Sequence, residues 1–490
     1  MKNVLLFVVL VASLVACKTE EKPNVVLIVV DDLGWTDVAC YGSDFYQTPN
    51  VDKLAADGMK FTNGYAACTV CSPTRAAIMS GKYPATINCT DWISGHKKPW
   101  AKMAIPSWTE YMAVDETTLA ESFKANNYNT IHIGKWHLGE EEKYWPENQG
   151  FDINIAGYKV GAPQKKNGGN GYFPPYLNPR LEDGPEGEYL TERLAQEAVA
   201  YIENHKNDSE PFFMNLWFYN VHTPLQAKKE KIARYKTLMD TTKHHSNPVY
   251  AAMVEHMDDA VGEIINKLKE AGLDENTIVM FTGDNGGLCG NKGKVTSNFP
   301  LRSGKGDIYE GGVREPFIVK WPGKIKGGSV NETPIMSIDI YPTLLGLSGT
   351  AKKSADQIDG LDFTELLTKG MSVEREAIFW HYPHYHLEGA KPYSAIRKGD
   401  WKLIEVFEND SLELYNLKDN IGEDINLAAT NPEKVKELMA DLKTWRTKVG
   451  AQMPVPNPDY DEVCEEFWPK GKWADKSKEE VKAFLLSQQK

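Results

Sequence analysis

The chain has 490 residues, of which 41% are hydrophobic and 25% charged, with a formal net charge of −13 at pH 7. That length exceeds what one hydrophobic core usually fills, so a large domain with a smaller one attached is expected. The acidic balance argues against a nucleic-acid surface but leaves room for a locally basic pocket that takes an anion.

The first three residues supply a short basic region, residues 4–14 an apolar run, and Leu14-Val15-Ala16-Cys17 closes it with small residues before a cysteine. The run is too short to span a membrane, and no other stretch of about 20 apolar residues follows. The tetrad resembles a bacterial lipobox, which predicts a lipid anchor on Cys17; the alternative is a soluble secreted protein cut nearby. Residues 1–17 are therefore set outside the fold as a signal peptide.

Residues 25–30 are continuously apolar and stop at Asp31-Asp32, which reads as a strand buried on both faces. Open α/β sheets place ligands at such strand ends. Thr48-Pro49-Asn50 opens a helix with Val51, Leu54 and Ala55 on one face. Cys71 stands at or just before the start of a helix over residues 72–80, where free N–H groups favour a bound oxyanion. Helices are predicted over 118–126, 188–204 and 249–270, and strands over 129–134, 212–219, 277–281 and 317–319. This alternation predicts an α/β fold with a mixed or mainly parallel sheet covered on both faces. After about residue 375 the segments 377–380, 393–396, 401–404 and 411–415 read as a small antiparallel sheet. A helix from Asn431 carries Val435, Leu438, Met439, Leu442 and Trp445 as the stripe that packs on it. The expected division is a domain over 23–374 and an α+β subdomain over 375–490.

Six further cysteines, Cys40, Cys68, Cys71, Cys89, Cys289 and Cys464, are too few for a disulfide scaffold, though one or two bridges are allowed. Cys68 and Cys71 form a C-x-x-C pair, but no second pair completes a zinc site and no thioredoxin-like neighbourhood surrounds it. Asp31 and Asp32, adjacent at a buried strand end, would repel each other without a cation. Asp284 and Asn285 supply more oxygen at another strand end, and a set without cysteine or histidine suits calcium or magnesium.

Cys71-Ser72-Pro73-Thr74-Arg75, continued by Gly81-Lys82, resembles the C/S-x-P-x-R signature of type I sulfatases. Matches recur in that family's order at Asp31-Asp32, residues 134–139, Val221-His222-Thr223-Pro224, Asp284-Asn285-Gly286, and Gly304-Lys305 leading to residues 310–314. The resemblance covers essentially the whole mature chain and implies an alkaline-phosphatase-like fold. It implies that a maturation enzyme oxidises Cys71 to formylglycine, whose hydrate is the nucleophile. A neutral thiol is a poor agent for this attack, whereas a metal-coordinated hydroxyl can strike sulfur and a second hydroxyl later expels sulfate. It further implies modified Cys71 as the fifth metal ligand beside Asp31, Asp32, Asp284 and Asn285, with calcium the usual ion and magnesium second. Arg75, one helical turn beyond Cys71, would steady the nucleophile and the metal carboxylates. Lys135 and Lys305 would hold sulfate oxygens, His137 would serve as base, and His222 as general acid to the leaving alcohol.

Outside these motifs, Asp91, Trp92, His96, Trp100, Trp108 and the run Trp380-His381-Tyr382-Pro383-His384-Tyr385-His386 offer a surface for a sugar, or else a packing seam between domains. Asp91, Trp92, His96, His381, His384 and His386 are the candidate substrate contacts. Export with a lipid anchor resembles the arrangement of bacterial carbohydrate sulfatases, at the periplasm or outer-membrane surface. The overall pattern looks most like members acting on galactose-configured sugars, so the expected substrate is a sulfated oligosaccharide attacked exo-fashion at 4-O-sulfated galactose or N-acetylgalactosamine. The alternatives are a phosphonate or phosphodiester hydrolase with the same nucleophile, and a silent carbohydrate-binding protein without turnover.

Overall fold

The computed structural model describes residues 21–289, 295–355 and 357–488. The candidate lipid anchor Cys17 lies outside them. Strands follow in chain order as β1 (Asn24–Val30), β2 (Met59–Tyr65), β3 (Met103–Ala104), β4 (Asn129–Gly134), β5 (Ile153–Ile155), β6 (Phe212–Phe218), β7 (Thr277–Gly283), β8 (Arg314–Lys320), β9 (Ser329–Asn331) and β10 (Ile335–Met336). The large sheet has the order β10-β2-β8-β7-β1-β6-β4-β5, with β9 also paired to β2. From β7 through β5 neighbouring strands run parallel, whereas β8 is antiparallel to both β7 and β2, so the sheet is mixed. β1, β6, β7 and β8 are buried along their whole length; β1, β6 and β7 accordingly read as mainly apolar runs, whereas β8 carries Arg314, Glu315 and Lys320 inside.

Helices α1 (Pro49–Asp57), α2 (Cys71–Ser80), α3 (Leu119–Ala125), α4 (Leu190–His205), α5 (Lys229–Leu238) and α6 (Pro248–Glu270) cover the sheet. α1, α4 and α5 pack on α6, and α2 packs on α3 and on the helix Ile340–Leu347. Thr118 caps α3 by accepting from the Glu121 amide while the Glu121 carboxylate accepts from the Thr118 amide. Among the described residues no helix is long and apolar enough to cross a membrane.

Strands β11 (Ile378–Tyr382), β12 (Tyr393–Lys398), β13 (Trp401–Val406) and β14 (Ser411–Asn416) form an antiparallel meander, and the helix Pro432–Val449 lies on it. There Trp445 stacks on Phe379 with ring centroids 4.8 Å apart. The meander shares its core with the segment that carries Cys71: Tyr65, Cys68, Val70 and Val313 pack in one cluster with Trp380, Ile396 and Leu403. Trp380 Nε1 donates to Ala66 O at 2.9 Å, and buried Lys402 bridges Glu310 and Glu423 at 2.9 and 3.0 Å. Beyond the meander, β15 (Val455–Pro456) pairs with β3, and Trp100, Cys464 and Val481 close a satellite core. All six cysteines named above are free thiols, so the described residues contain no disulfide.

Candidate active site

Register decides where the chemistry gathers. Val30 lies beside Phe218 on one flank and Gly283 on the other, so β1, β6 and β7 end level with one another. Asp31-Asp32, the segment through His222, and Asp284-Asn285 therefore emerge side by side from three parallel strands. Gly134 pairs with Trp217 at the end of β4 and delivers Lys135 to the same edge. A Cβ on Gly134 would meet Trp217 O at 2.0 Å, so only glycine permits that approach. Asp32 and His137 both adopt left-handed backbone with φ near +58°, a conformation that costs a non-glycine residue about 1–3 kcal/mol and persists only where the surroundings enforce it.

Cys71 is the first residue of α2, and its Sγ lies 3.3 Å from His137 Nδ1. The other ring nitrogen, Nε2, donates to Ile93 O, because a carbonyl can only accept. That bond fixes the tautomer and leaves Nδ1 as an acceptor facing the sulfur. Burial and nearby Lys135 push the His137 pKa well below the usual histidine value, so the ring is neutral, with its lone pair at Nδ1.

Arg75 is fully buried one turn into α2. Its Nε donates to Asp284 Oδ2 at 2.8 Å, its Nη2 forms an ion pair with the same oxygen at 2.7 Å, its Nη1 reaches Lys135 O, and its guanidinium lies 5.0 Å over the Trp217 ring. Lys135 Nζ lies 2.7 Å from Asp31 Oδ2, and Lys305 Nζ lies 2.7 and 2.9 Å from the two Asp32 oxygens. Burial alone would raise the Asp32 pKa, but Lys305 and His222 outweigh it and hold the carboxyl below its usual range. Asp31 differs: burial pushes it well above the carboxylate range, helped by Asp284 and Asp32 and opposed by Lys135 and Arg75.

The donor set fits a hard divalent cation. Oxygen and sulfur donors of Asp31, Asp284 and Cys71 all lie within 4.8 Å of one another. Asp31 Oδ1 and Asn285 Oδ1 are buried and accept no hydrogen bond, a costly state for two acceptors aimed into one cluster. Asp32 Oδ1 takes a bond from Asn285 Nδ2 at 2.9 Å, so all four oxygen-bearing residues and Cys71 belong to one cluster. A cation there would relieve the charge deficit that leaves Asp31 hard to ionise.

A cleft of about 690 Å³ opens over this cluster, with Cys71, His137, His222 and Lys305 among its lining residues. His222 donates from Nδ1 to Thr223 O at 2.7 Å, which leaves Nε2 free 3.6 Å from Asp32 Oδ2. Burial and Lys305 push its pKa down to about 3. Trp92, His96 and His386 line the cleft as the sequence suggested; His96 packs edge-on to His386 at 5.1 Å and to Trp468 at 5.6 Å.

Four of the candidate residues are not among those lining the cleft. Lys135 is fully buried on Asp31 and does not line the cleft, because its short tether from β4 points it at the carboxylates. His381 spends Nδ1 on Ser394 Oγ and Nε2 on Gln452 O, as befits a residue of a central packing seam. His384 is buried between Thr90 Oγ1 and the Trp108 ring. Asp91 lies behind the wall, where its Oδ1 accepts from Tyr382 Oη at 2.6 Å and from the Trp92 amide at 2.9 Å. The sequence reading also missed the segment 159–166, which lines one side of the cleft. It carries no motif, and its only signal is the polar, glycine-bearing run that begins at Lys165.

Residues 23–350 match the family described as Sulfatase, and residues 304–451 match the C-terminal region described for N-sulphoglucosamine sulphohydrolase. A protein named Sulfatase from Formosa agariphila is 32% identical, over 92% of this chain and 94% of its own. The N-acetylgalactosamine-6-sulfatase of Mus musculus is 31% identical over 77% of this chain and 72% of its own. Among solved structures, Ps i-CgsB in complex with k-i-k-neocarrahexaose superimposes with a TM-score of 0.73 at 27% identity, covering 95% of this chain and 98% of that one.

Proposed function

The chain belongs to the sulfatase family and is a sulfuric ester hydrolase, and from that premise we propose that it removes sulfate exo-fashion from galactose-configured sugars of an oligosaccharide, at O4 of galactose or N-acetylgalactosamine, with a nucleophile made from Cys71. The observation that carries this reading is the placement of Cys71: first residue of a helix, 3.3 Å from a neutral histidine nitrogen, and within 4.8 Å of the Asp31 and Asp284 oxygens.

Oxidation of Cys71 to formylglycine by a sulfatase-maturing enzyme would supply a hydrated aldehyde whose hydroxyl attacks sulfur. A calcium ion held by Asp31, Asp32, Asp284, Asn285 and residue 71 would acidify that hydroxyl and offset charge on the sulfate oxygens. Lys305, at the base of the cleft, presents its ammonium to the same oxygens, and Arg75 keeps Asp284 in place. His222 Nε2 faces the position of the departing alcohol. An anionic ester between it and Lys305 counters the pull that keeps this ring neutral, and so favours the protonated form needed to donate. His137 Nδ1 then accepts the proton of the second hydroxyl as the aldehyde reforms and sulfate leaves.

The apolar faces of Trp92 and the imidazoles of His96 and His386 suit a sugar ring with hydroxyls at its edge. A second regiochemistry, the 6-O ester, is favoured by the name of the murine relative. Export with an anchor at Cys17 completes the proposal and suits a substrate met outside the cytoplasm.

The test begins with the mass of the Cys71 peptide, which is about 18 Da lighter as formylglycine than as thiol. Matured protein is then assayed on defined galactose and N-acetylgalactosamine sulfates, one position at a time, with matched phosphate esters alongside. Turnover of the 4-sulfate, lost in Cys71→Ala, is the expected result. Equal turnover of phosphonates or phosphodiesters, or activity that survives Cys71→Ala, rejects it.

A further inference from the structure

The cleft runs from a buried base, where Cys71 and His137 sit, to a rim in the segment 159–166, where Lys159, Lys165 and Lys166 are exposed. A volume of about 690 Å³ is that of a site for a ligand of several rings, so the sugar that loses sulfate does not fill it alone. Lys165 and Lys166 line that rim and are exposed, and neither forms an ion pair among the described residues. Their neighbour Lys159 is already neutralised by Glu140 at 3.1 Å. The lysine loop is held in place: Gly171 N donates to Gln164 O at 2.7 Å, and Gly169 N to Lys166 O at 3.1 Å. Gly161 lies against His137, where a Cβ would come within 2.4 Å of the ring. Glu140 and Glu388 are the acidic residues on the cleft wall. Two adjacent uncompensated cations on a protein of net charge −13 thus face a site whose base already takes one anion.

We propose that Lys165 and Lys166 bind a second anionic group of the substrate, a sulfate ester or a carboxylate on the sugar next to the one being desulfated. This rests on the sulfatase reading and names its substrate as an oligosaccharide charged on successive rings. Catalysis at Cys71 does not involve these lysines, so they act on binding alone.

The experiment compares matured wild type with Lys165→Gln/Lys166→Gln on four substrates: a small aryl sulfate, a singly sulfated oligosaccharide, the same backbone with a second sulfate on the adjacent ring, and that backbone with a carboxylate there instead. The expected result is a rise in KM of roughly three- to tenfold for the doubly anionic substrates in the variant, shrinking at high salt, with kcat and both singly charged substrates unchanged. A response to only one of the two doubly charged substrates identifies the anion. A KM change shared by all four substrates, or by none, overturns the proposal. Binding of the same oligosaccharides to Cys71→Ala, with and without the lysine changes, reads the subsite without turnover. Discrimination that persists there while wild type cleaves no sulfate ester rejects the sulfatase reading alone, and equal binding of singly and doubly charged sugars rejects the subsite alone.

Discussion

Replacing Asp91 by Asn tests whether the cleft wall is built on a carboxyl group kept protonated by its surroundings. Asp91 is fully buried, and burial, only partly opposed by the bonds from Tyr382 and Trp92, raises its pKa to about 7. Unfolded chain releases that proton near the ordinary aspartate value, so the folded state binds more protons through the interval between the two. Stability from this group is therefore complete below the ordinary aspartate pKa and falls as pH rises toward 7. With about 1.4 kcal/mol per pH unit, the wild type loses about 3 kcal/mol from this group between pH 5 and pH 8. Asn keeps the oxygen that accepts from Tyr382 and the Trp92 amide, and it carries no charge at any pH. The advantage of Asp91→Asn over the wild type should thus grow by about 3 kcal/mol from pH 5 to pH 8. Urea unfolding of both proteins across that range measures the difference. A difference that stays flat, or that turns against the variant as pH rises, would refute the argument that this carboxyl is neutral in the fold. Turnover of a small aryl sulfate at pH 5.5 should be unchanged, because Asp91 lies behind the wall and not on it.

His222→Ala should slow cleavage of alkyl sulfates by about 10²- to 10⁴-fold and of a good aryl leaving group far less, so equal losses in the two assays would remove it as the proton donor. Chelation of a calcium-loaded preparation should abolish turnover and lower the unfolding midpoint, because Asp31, Asp32 and Asp284 then share the buried site without that charge; about 2.7 kcal/mol is expected at a hundredfold excess of ion over its Kd. His386→Ala should raise KM for sugars while leaving aryl sulfate chemistry intact, whereas His384→Ala should cost about 1–3 kcal/mol of stability with little change in KM, since only the first ring lines the cleft. Comparing KM and urea midpoints of the two variants decides between those roles.

Much of the fold could be read locally. An apolar run such as residues 25–30 has no polar alternation to satisfy at a surface, and it is a central strand with every residue buried. Strand β2 escaped notice because its half-exposed Lys60, Thr62 and Asn63 interrupt the pattern at a place where it pairs antiparallel to β8. The C-terminal meander was legible from its short strands and turns, but its shared core with the Cys71 segment was not, since that depends on which surfaces meet.

For the site, the sequence by itself determined the chemical inventory: paired carboxylates at strand ends, a cysteine at a helix start with an arginine one turn on, and lysines and histidines in order along the chain. These are properties of neighbouring residues, and helix or strand geometry suffices to infer them. Only the tertiary structure decided which way each side chain is spent. Lys135 serves Asp31 in the interior while Lys305 reaches the cleft, His386 is a wall residue while His384 two positions earlier is core, and the lysines at 165 and 166 line the same cleft as Cys71 without any motif. Burial and partner supply depend on contacts between segments hundreds of residues apart, and a local pattern carries no record of them.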